Sequence, residues 1–132
     1  MTAGAPSLVV VAAVIIRGGR VLISQRLPTS GHAGRWEFPG GKREPGESDE
    51  QALRRELLEE LAIDLPVGAE LMRAAAGPIE VRFFRCAWTT TLRPRPLGVA
   101  QFRWVRSEQL LDYRFPPIDR ELVNRLASGA LR

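Results

Sequence analysis

Several residue types are nearly missing from this 132-residue sequence. It has one cysteine, Cys86, so an internal disulfide is impossible, and such sparse use of cysteine fits a reducing compartment. With His32 as the single histidine, zinc ligation by cysteines and histidines is excluded as well. We expect Cys86, in the apolar-rich run Val81–Trp88, to be a buried inert thiol. We expect His32 to be a solvated loop residue.

Long hydrophobic runs are also absent. The longest, Leu8–Ile16, has nine residues, which is too short to cross a bilayer. Neither a basic segment nor a small-residue cleavage site accompanies it, so a signal peptide is not indicated. We interpret this run as a strand buried on both faces, and we expect a cytoplasmic protein without a membrane partner.

Lysine is represented by Lys42 alone, so arginine supplies nearly all of the positive charge, and the formal net charge is +4. Arginine binds phosphate through two parallel hydrogen bonds, which makes an anionic ligand plausible, although a solvated arginine-rich surface explains the composition equally simply. The excess is too small to indicate a stable nucleic-acid partner. The apolar fraction of 45% and the charged fraction of 26% are typical of a globular protein. We therefore expect one domain over residues 1–132.

The pattern of elements predicts an α/β fold with a mixed β-sheet between α-helices. Gly18-Gly19 indicates a hairpin, Ser48 and Gln51 form a capping box that begins a helix, and Pro66 follows its end. The other predicted segments are a loop over 27–35, extended Trp36–Pro39, strands at Leu8–Arg17, Arg20–Arg26, Ala69–Ala74, Ile79–Thr91 (bent or at an edge) and Val99–Val105, and helices at Ser107–Leu111 and Pro117–Ala127.

The first helix has an acidic face. Glu56, Glu59 and Glu60 lie three and four positions apart, so their side chains are neighbours beside the apolar stripe of the helix. Like charges at this spacing destabilise a helix unless something neutralises them. Oxygen ligands of this kind select Mg²⁺ or Mn²⁺ over zinc, and Mg²⁺ commonly bridges carboxylates and substrate phosphates. An ordinary solvated acidic face, partly neutralised by Arg55, is the alternative.

The wider segment Gly40–Ile63 resembles the box of the Nudix hydrolase family, Gly-x5-Glu-x7-Arg-Glu-U-x-Glu-Glu-x-Gly-U, where U is a bulky apolar residue. The residues identical at the required spacing are Gly41, Glu47, Arg55, Glu56, Glu59 and Glu60. Ala62 stands where the box has glycine, so we expect either a strained Ala62 or a slightly longer helix. The sequence before the box and the tail Phe115–Asp119 resemble the MutT-type subgroup.

The resemblance implies a Nudix fold and Mg²⁺-dependent attack of water on the polyphosphate of a nucleoside triphosphate, which gives a nucleoside monophosphate and pyrophosphate. It assigns Glu56, Glu59, Glu60 and the Gly40 carbonyl as metal ligands, with Glu56 as the favoured base. Glu47 and Arg55 orient these glutamates, and all four charged side chains Glu47, Arg55, Glu56 and Glu59 belong to the catalytic set. Many MutT-type enzymes carry a further carboxylate before the late-strand tryptophan, but residues 98–103 contain none.

Four residues are candidates for contacts with the substrate. Lys42 is placed near a phosphate, Arg26 near ribose or phosphate, and Phe38 against the base. The alternatives are a solvated lysine, a strand-end charge and an apolar core position. Asp119 either reads the donor edge of a base or stabilises the first turn of the last helix.

The leading hypothesis is pyrophosphohydrolysis of an oxidised dNTP such as 8-oxo-dGTP, or of CTP or dCTP, in nucleotide pool sanitation. The alternatives are a Nudix hydrolase acting on a dinucleotide, sugar nucleotide or capped RNA, and a Nudix binding module without catalysis. The expected partner is a small nucleotide, and the protein is expected to be a monomer or a homodimer.

Overall fold

Seven strands form one mixed sheet in the computed structural model, which describes residues 6–131. The strands are β1 Leu8–Arg17, β2 Arg20–Gln25, β3 Trp36–Glu37, β4 Gly40–Lys42, β5 Val67–Ala76, β6 Ile79–Cys86 and β7 Gln101–Arg106. β1 and β6 run parallel over eight paired positions, and every other strand pair is antiparallel. The predicted mixed sheet is therefore confirmed.

The centre of the sheet is β1, which hydrogen-bonds with β2, β4 and β6. Its five consecutive residues from Val11 to Ile15 are all buried, as expected of a strand covered on both faces. Val11, Ala13 and Ile15 pack in one hydrophobic cluster, and Ala12 and Val14 pack in another on the opposite face. The alternation of strand side chains thus divides the core into two layers.

A helix covers each face of the sheet. α1, Asp49–Leu61, buries Leu53, Leu57 and Leu61 in the first cluster, and α2, Arg120–Ala127, buries Leu122 and Leu126 in the second. Among residues 6–131, neither helix combines the length and apolar character required to cross a bilayer. The sheet lies between α1 and α2, as predicted.

The first helix is fixed at both ends. The predicted capping box is present, since the Ser48 side chain accepts from the Gln51 backbone and the Gln51 side chain accepts from the Ser48 backbone. Asp49 accepts hydrogen bonds from Arg82 of β6 at 2.9 Å and from Arg43 at 2.6 Å. These contacts connect the helix start to the sheet, so the acidic face of α1 has a defined orientation relative to β4.

Several predicted boundaries differ from the structure. β6 ends at Cys86 and lies between β1 and β5, so the prediction of a longer strand at an edge was wrong. Gly40 and Gly41, which follow the predicted extended segment Trp36–Pro39, belong to the short strand β4, which pairs with β1. The helix predicted at Ser107–Leu111 is a 3-10 helix, Ser107–Asp112, and the one predicted at Pro117–Ala127 begins as a 3-10 turn, Pro117–Asp119, before α2.

Candidate active site

Arg55 connects the loop before α1 with the acidic face of the helix. Its Nε and Nη2 donate to the two carboxylate oxygens of Glu47 at 2.7 and 2.9 Å, and its Nη1 donates to Glu56 Oε1 at 2.9 Å. Nη2 also donates to the backbone carbonyl of Lys42 at 3.0 Å. Hydrogen bonds from Arg55 and from the backbone of Glu44 lower the pKa of Glu47 to about 2. Arg55 and Glu47 are therefore placed to orient Glu56.

Two glycines let the backbone of β4 approach this network. Gly40 has φ +154°, and an added Cβ would overlap the Val11 carbonyl oxygen of β1. An added Cβ at Gly41 would overlap the carboxyl group of Glu56. Side chains are thus excluded at both positions, and the carboxylates of α1 come directly against the backbone of β4.

Glu60 is the most strongly perturbed carboxyl of the site. Its Oε1 accepts a hydrogen bond from the Gly40 backbone at 3.3 Å. Burial, together with the neighbouring charges of Glu37 and Glu56, raises the pKa of Glu60 to about 9. Burial also raises the pKa values of Glu37 and Glu56. A divalent cation would reverse this situation, since it would stabilise the ionised carboxylates that now repel one another.

Glu37 is the site residue that the sequence reasoning missed. It lies on β3, its side chain lines the same cleft as Glu56 and Glu60, and its Oε2 accepts from Arg26 Nη1 at 3.3 Å. A signal was available in the sequence: Trp36 and Phe38 are apolar, so strand alternation turns Glu37 to the other face. The Trp-Glu-Phe triplet therefore carries a carboxylate towards the acidic helix.

The acidic residues of α1 do not share one environment. The side chain of Glu59 is 58% exposed and contacts Arg55 at 3.3 Å, whereas that of Glu56 is 16% exposed. Within residues 6–131, no three acidic, histidine or cysteine side chains converge closely enough to hold an ion as they stand. The candidate ligand atoms are all hard oxygens, from the carboxylates and from the backbone carbonyls of β4. Oxygen is the ligand type that Mg²⁺ prefers. For several of these carboxylates to share an ion, their side chains would have to shift from these positions.

An open cleft of about 650 Å³ lies over this cluster. Arg26 stands at its wall, where Nε donates to the Gly31 carbonyl of the loop 27–35 at 2.6 Å while Nη1 contacts Glu37. Lys42 lines the same cleft and is exposed. Both cations are therefore accessible to an anion that enters the cleft.

Phe38 and Asp119, the residues predicted to contact the base, occupy a different environment from the carboxylate cluster. Phe38 is 3% exposed, stacks on Phe115 with centroids 5.1 Å apart, and meets Phe83 edge to face. A base could stack on Phe38 only if Phe115 moved. Asp119 is 6% exposed and makes no capping hydrogen bond at the start of α2. Burial and the charge of Glu37 raise the pKa of Asp119 to about 7, so the carboxyl is neutral below that pH.

The C-terminal end of α1 shows how the chain accommodates alanine where glycine was expected. Ala62 has φ 58° and ψ 33°, so the strained alternative is the observed one, and the helix ends at Leu61. The following loop supports this end, because the backbone amides of Leu97 and Gly98 donate to the Glu60 carbonyl at 3.0 and 3.1 Å. The loop before β7 thus supplies backbone contacts to the acidic helix.

Comparison with known proteins identifies the class. Residues 6–126 match the model of the NUDIX domain, and the chain belongs to the NUDIX domain family. The predicted family and fold are confirmed.

Among curated proteins, the chain is 41% identical over 120 residues to the CTP pyrophosphohydrolase of Escherichia coli, covering 86% of this chain and 87% of that protein. It is 36% identical over 125 residues to the 8-oxo-dGTP diphosphatase of Haemophilus influenzae, covering 90% and 91%. A solved MutT structure from work on Aliivibrio salmonicida and Vibrio cholerae aligns with a TM-score of 0.80, 31% identity, and coverage of 92% and 98%.

Proposed function

We propose that this protein hydrolyses a nucleoside triphosphate to the nucleoside monophosphate and pyrophosphate. The substrates that its relatives' names suggest are CTP and 8-oxo-dGTP. The observation that carries the proposal is the buried Glu60 carboxyl, which lies beside Glu37, Glu56 and the backbone of Gly40. So much buried negative charge at the wall of an open cleft is suited to a divalent cation that accompanies a polyphosphate.

The metal proposed for this site is Mg²⁺, with Mn²⁺ as the alternative. The ligands would be Glu56, Glu59, Glu60 and the Gly40 carbonyl, and Glu37, whose charge acts on Glu60 across the same cleft, is a further candidate. When bound, such an ion screens the phosphate charge and stabilises the leaving pyrophosphate.

The remaining charged residues have distinct proposed tasks. Glu56 accepts the proton of the attacking water, because it lines the cleft and its carboxylate is held by Arg55. Arg55 and Glu47 hold the Glu56 carboxylate in place. Arg26 and Lys42 bind phosphate oxygens, because both line the cleft and carry a positive charge.

Base recognition is assigned to Asp119 together with the neighbouring Glu37. An ionised carboxylate can only accept hydrogen bonds, while a protonated one can also donate. Because the pKa of Asp119 is about 7, both forms are populated near neutrality. Asp119 can therefore meet a donor edge, such as an exocyclic amine, or a carbonyl edge, depending on pH.

The proposed substrate also indicates the compartment and the partner of the protein. A nucleotide-pool enzyme acts where its nucleotides are, which for this protein we take to be the cytoplasm. The proposed partner is the small nucleotide itself, bound by a monomer or by each subunit of a homodimer.

The test is a Mg²⁺-dependent screen for pyrophosphate release over canonical and oxidised dNTPs, NTPs, ADP-ribose and dinucleotides. We expect pyrophosphate and a monophosphate from at least one triphosphate, with no turnover after chelation. Turnover confined to ADP-ribose or dinucleotides would contradict the substrate class. Metal binding without turnover of any nucleotide would favour the binding module.

A further inference from the structure

Ser24 of β2 is a buried serine without a partner. It is 0% exposed, and within residues 6–131 its Oγ is the one fully buried side-chain nitrogen or oxygen atom that makes no hydrogen bond. A hydroxyl removed from water without a partner is destabilising, and native proteins contain few such groups. Alanine would fill nearly the same space without this penalty, so packing alone does not account for a serine here.

The sheet directs Ser24 to the acidic side of the fold. Leu22 packs in the cluster that contains the leucines of α1, and Ile23 packs in the opposite cluster. By alternation, Ser24 faces the same side as Leu22. In the sheet register, Ser24 lies opposite Glu37 on one side and Phe102 on the other.

Of these two neighbours, Glu37 alone offers a polar group. Directly opposed residues have Cβ atoms about 5 Å apart, which leaves room for a bridging water between a short serine and a carboxylate. One oxygen of Glu37 accepts from Arg26, whereas the other accepts no hydrogen bond from the described residues. An unpaired donor therefore lies directly opposite an acceptor with free capacity.

Building on the proposed function, we propose that Ser24 is a positioning residue of the active site. Its hydroxyl donates to a buried water that donates in turn to the free carboxylate oxygen of Glu37. With Arg26 on the other oxygen, this bridge holds Glu37 in the carboxylate cluster around Glu60. Without the bridge, the Glu37 carboxylate is held by Arg26 alone and is no longer fixed in the cluster. The cluster then binds a divalent cation more weakly.

The test compares Ser24→Ala with the wild-type protein in two independent assays. Mn²⁺ affinity, measured by calorimetry without nucleotide, should weaken roughly tenfold, as is typical when a partner of a metal ligand is lost. In the nucleotide assay kcat should fall by a similar factor with little change in KM. The melting temperature of the metal-free protein should change little, because alanine keeps the packing of the strand.

Cys86→Ala is the matched control, since Cys86 is buried in the cluster on the side of the sheet that Ser24 faces and also loses a single heavy atom. Mn²⁺ affinity should not change in this variant. Ser24→Ala should add nothing to the weakened affinity of Glu37→Gln, because Ser24 acts through Glu37. Ser24→Thr keeps the hydroxyl and should retain most of the affinity if its melting temperature shows a folded protein.

The inference is overturned if Ser24→Ala keeps wild-type Mn²⁺ affinity, if its effect remains at full size in the Glu37→Gln background, or if Cys86→Ala produces the same loss. Weakened binding that accompanies a lowered melting temperature would also overturn it, because that result indicates a structural role. If the wild-type protein binds Mn²⁺ but hydrolyses no nucleotide, the proposed function fails, and the calorimetric comparison still decides the role of Ser24.

Discussion

The two sides of the site are built in different ways. On the phosphate side, Glu47, Arg55, Glu56 and Glu60 are joined by hydrogen bonds to one another or to the backbone of β4. On the base side, Asp119 lies buried at the start of α2 without a capping bond, and aromatic rings cover Phe38. Hydrogen bonds already connect the groups on the phosphate side, whereas on the base side Phe38 is covered by neighbouring rings.

This difference separates chemistry from selectivity. Most of the groups proposed for phosphate chemistry come from the stretch Gly40–Glu60, and Arg26 and Glu37 join them from the segments around β2 and β3. The groups proposed for base selection come from β3 and from the segment before α2, which are far apart in sequence. Substitutions on the phosphate side should therefore change kcat, and substitutions on the base side should change KM.

The largest effect is expected at the acidic face. Glu60→Gln and Glu59→Gln should each lose nearly all turnover, on the order of 100-fold or more, because each removes a metal ligand. Pyrophosphate release under saturating nucleotide measures this loss. Glu50→Gln, on the same helix but exposed and remote from the cleft, is the control and should keep wild-type turnover. Full activity in both glutamine variants would remove these residues from the site.

A smaller loss is expected for Arg55→Lys. Lysine keeps the charge but cannot donate to Glu47, Glu56 and the Lys42 carbonyl together. We expect kcat to fall about 10-fold to 100-fold with KM little changed. Arg54→Lys is the matched control, since the neighbouring Arg54 makes only exposed ion pairs. Equal behaviour of the two variants would argue against an orienting role.

Substitution of a residue on the base side should change KM. Asp119→Ala should raise KM for the preferred nucleotide roughly 10-fold, equivalent to about 1.4 kcal/mol, with little loss in kcat. Because the pKa of Asp119 is about 7, the ratio of kcat/KM between bases should change from pH 6 to pH 8 in the wild-type protein and stay constant in the variant. An unchanged profile across nucleotides would place Asp119 outside the site.

The smallest effect concerns stability and leaves the chemistry alone. Ala62→Gly should raise the free energy of unfolding by about 1 kcal/mol, because glycine adopts the left-handed conformation without strain. Ala52→Gly, the same exchange in the helical interior of α1, should lower it by a similar amount. Urea denaturation measures both. If Ala62→Gly did not raise the free energy of unfolding, this result would show that Ala62 is not strained.

Local sequence patterns predict part of this structure, and pairing between distant segments accounts for the rest. The box motif, the capping box and the leucine stripe of α1 are local patterns, and each corresponds to the structure. Glu37, Ser24 and the central position of β6 depend on strand pairing between distant segments, which local spacing does not determine. The burial that raises the pKa of Asp119 likewise comes from tertiary packing.

We propose that Glu60 is buried at the wall of the cleft because it binds a divalent cation there. Its raised pKa means that Glu60 contributes stability that is full below about pH 4.5 and is lost as pH rises towards about 9. Mg²⁺ stabilises the ionised form, so it should raise the melting temperature more at pH 8.5 than at pH 5.5. Glu60→Gln should abolish this pH-dependent gain. An equal gain at both pH values, or a gain that persists in Glu60→Gln, would contradict the claim.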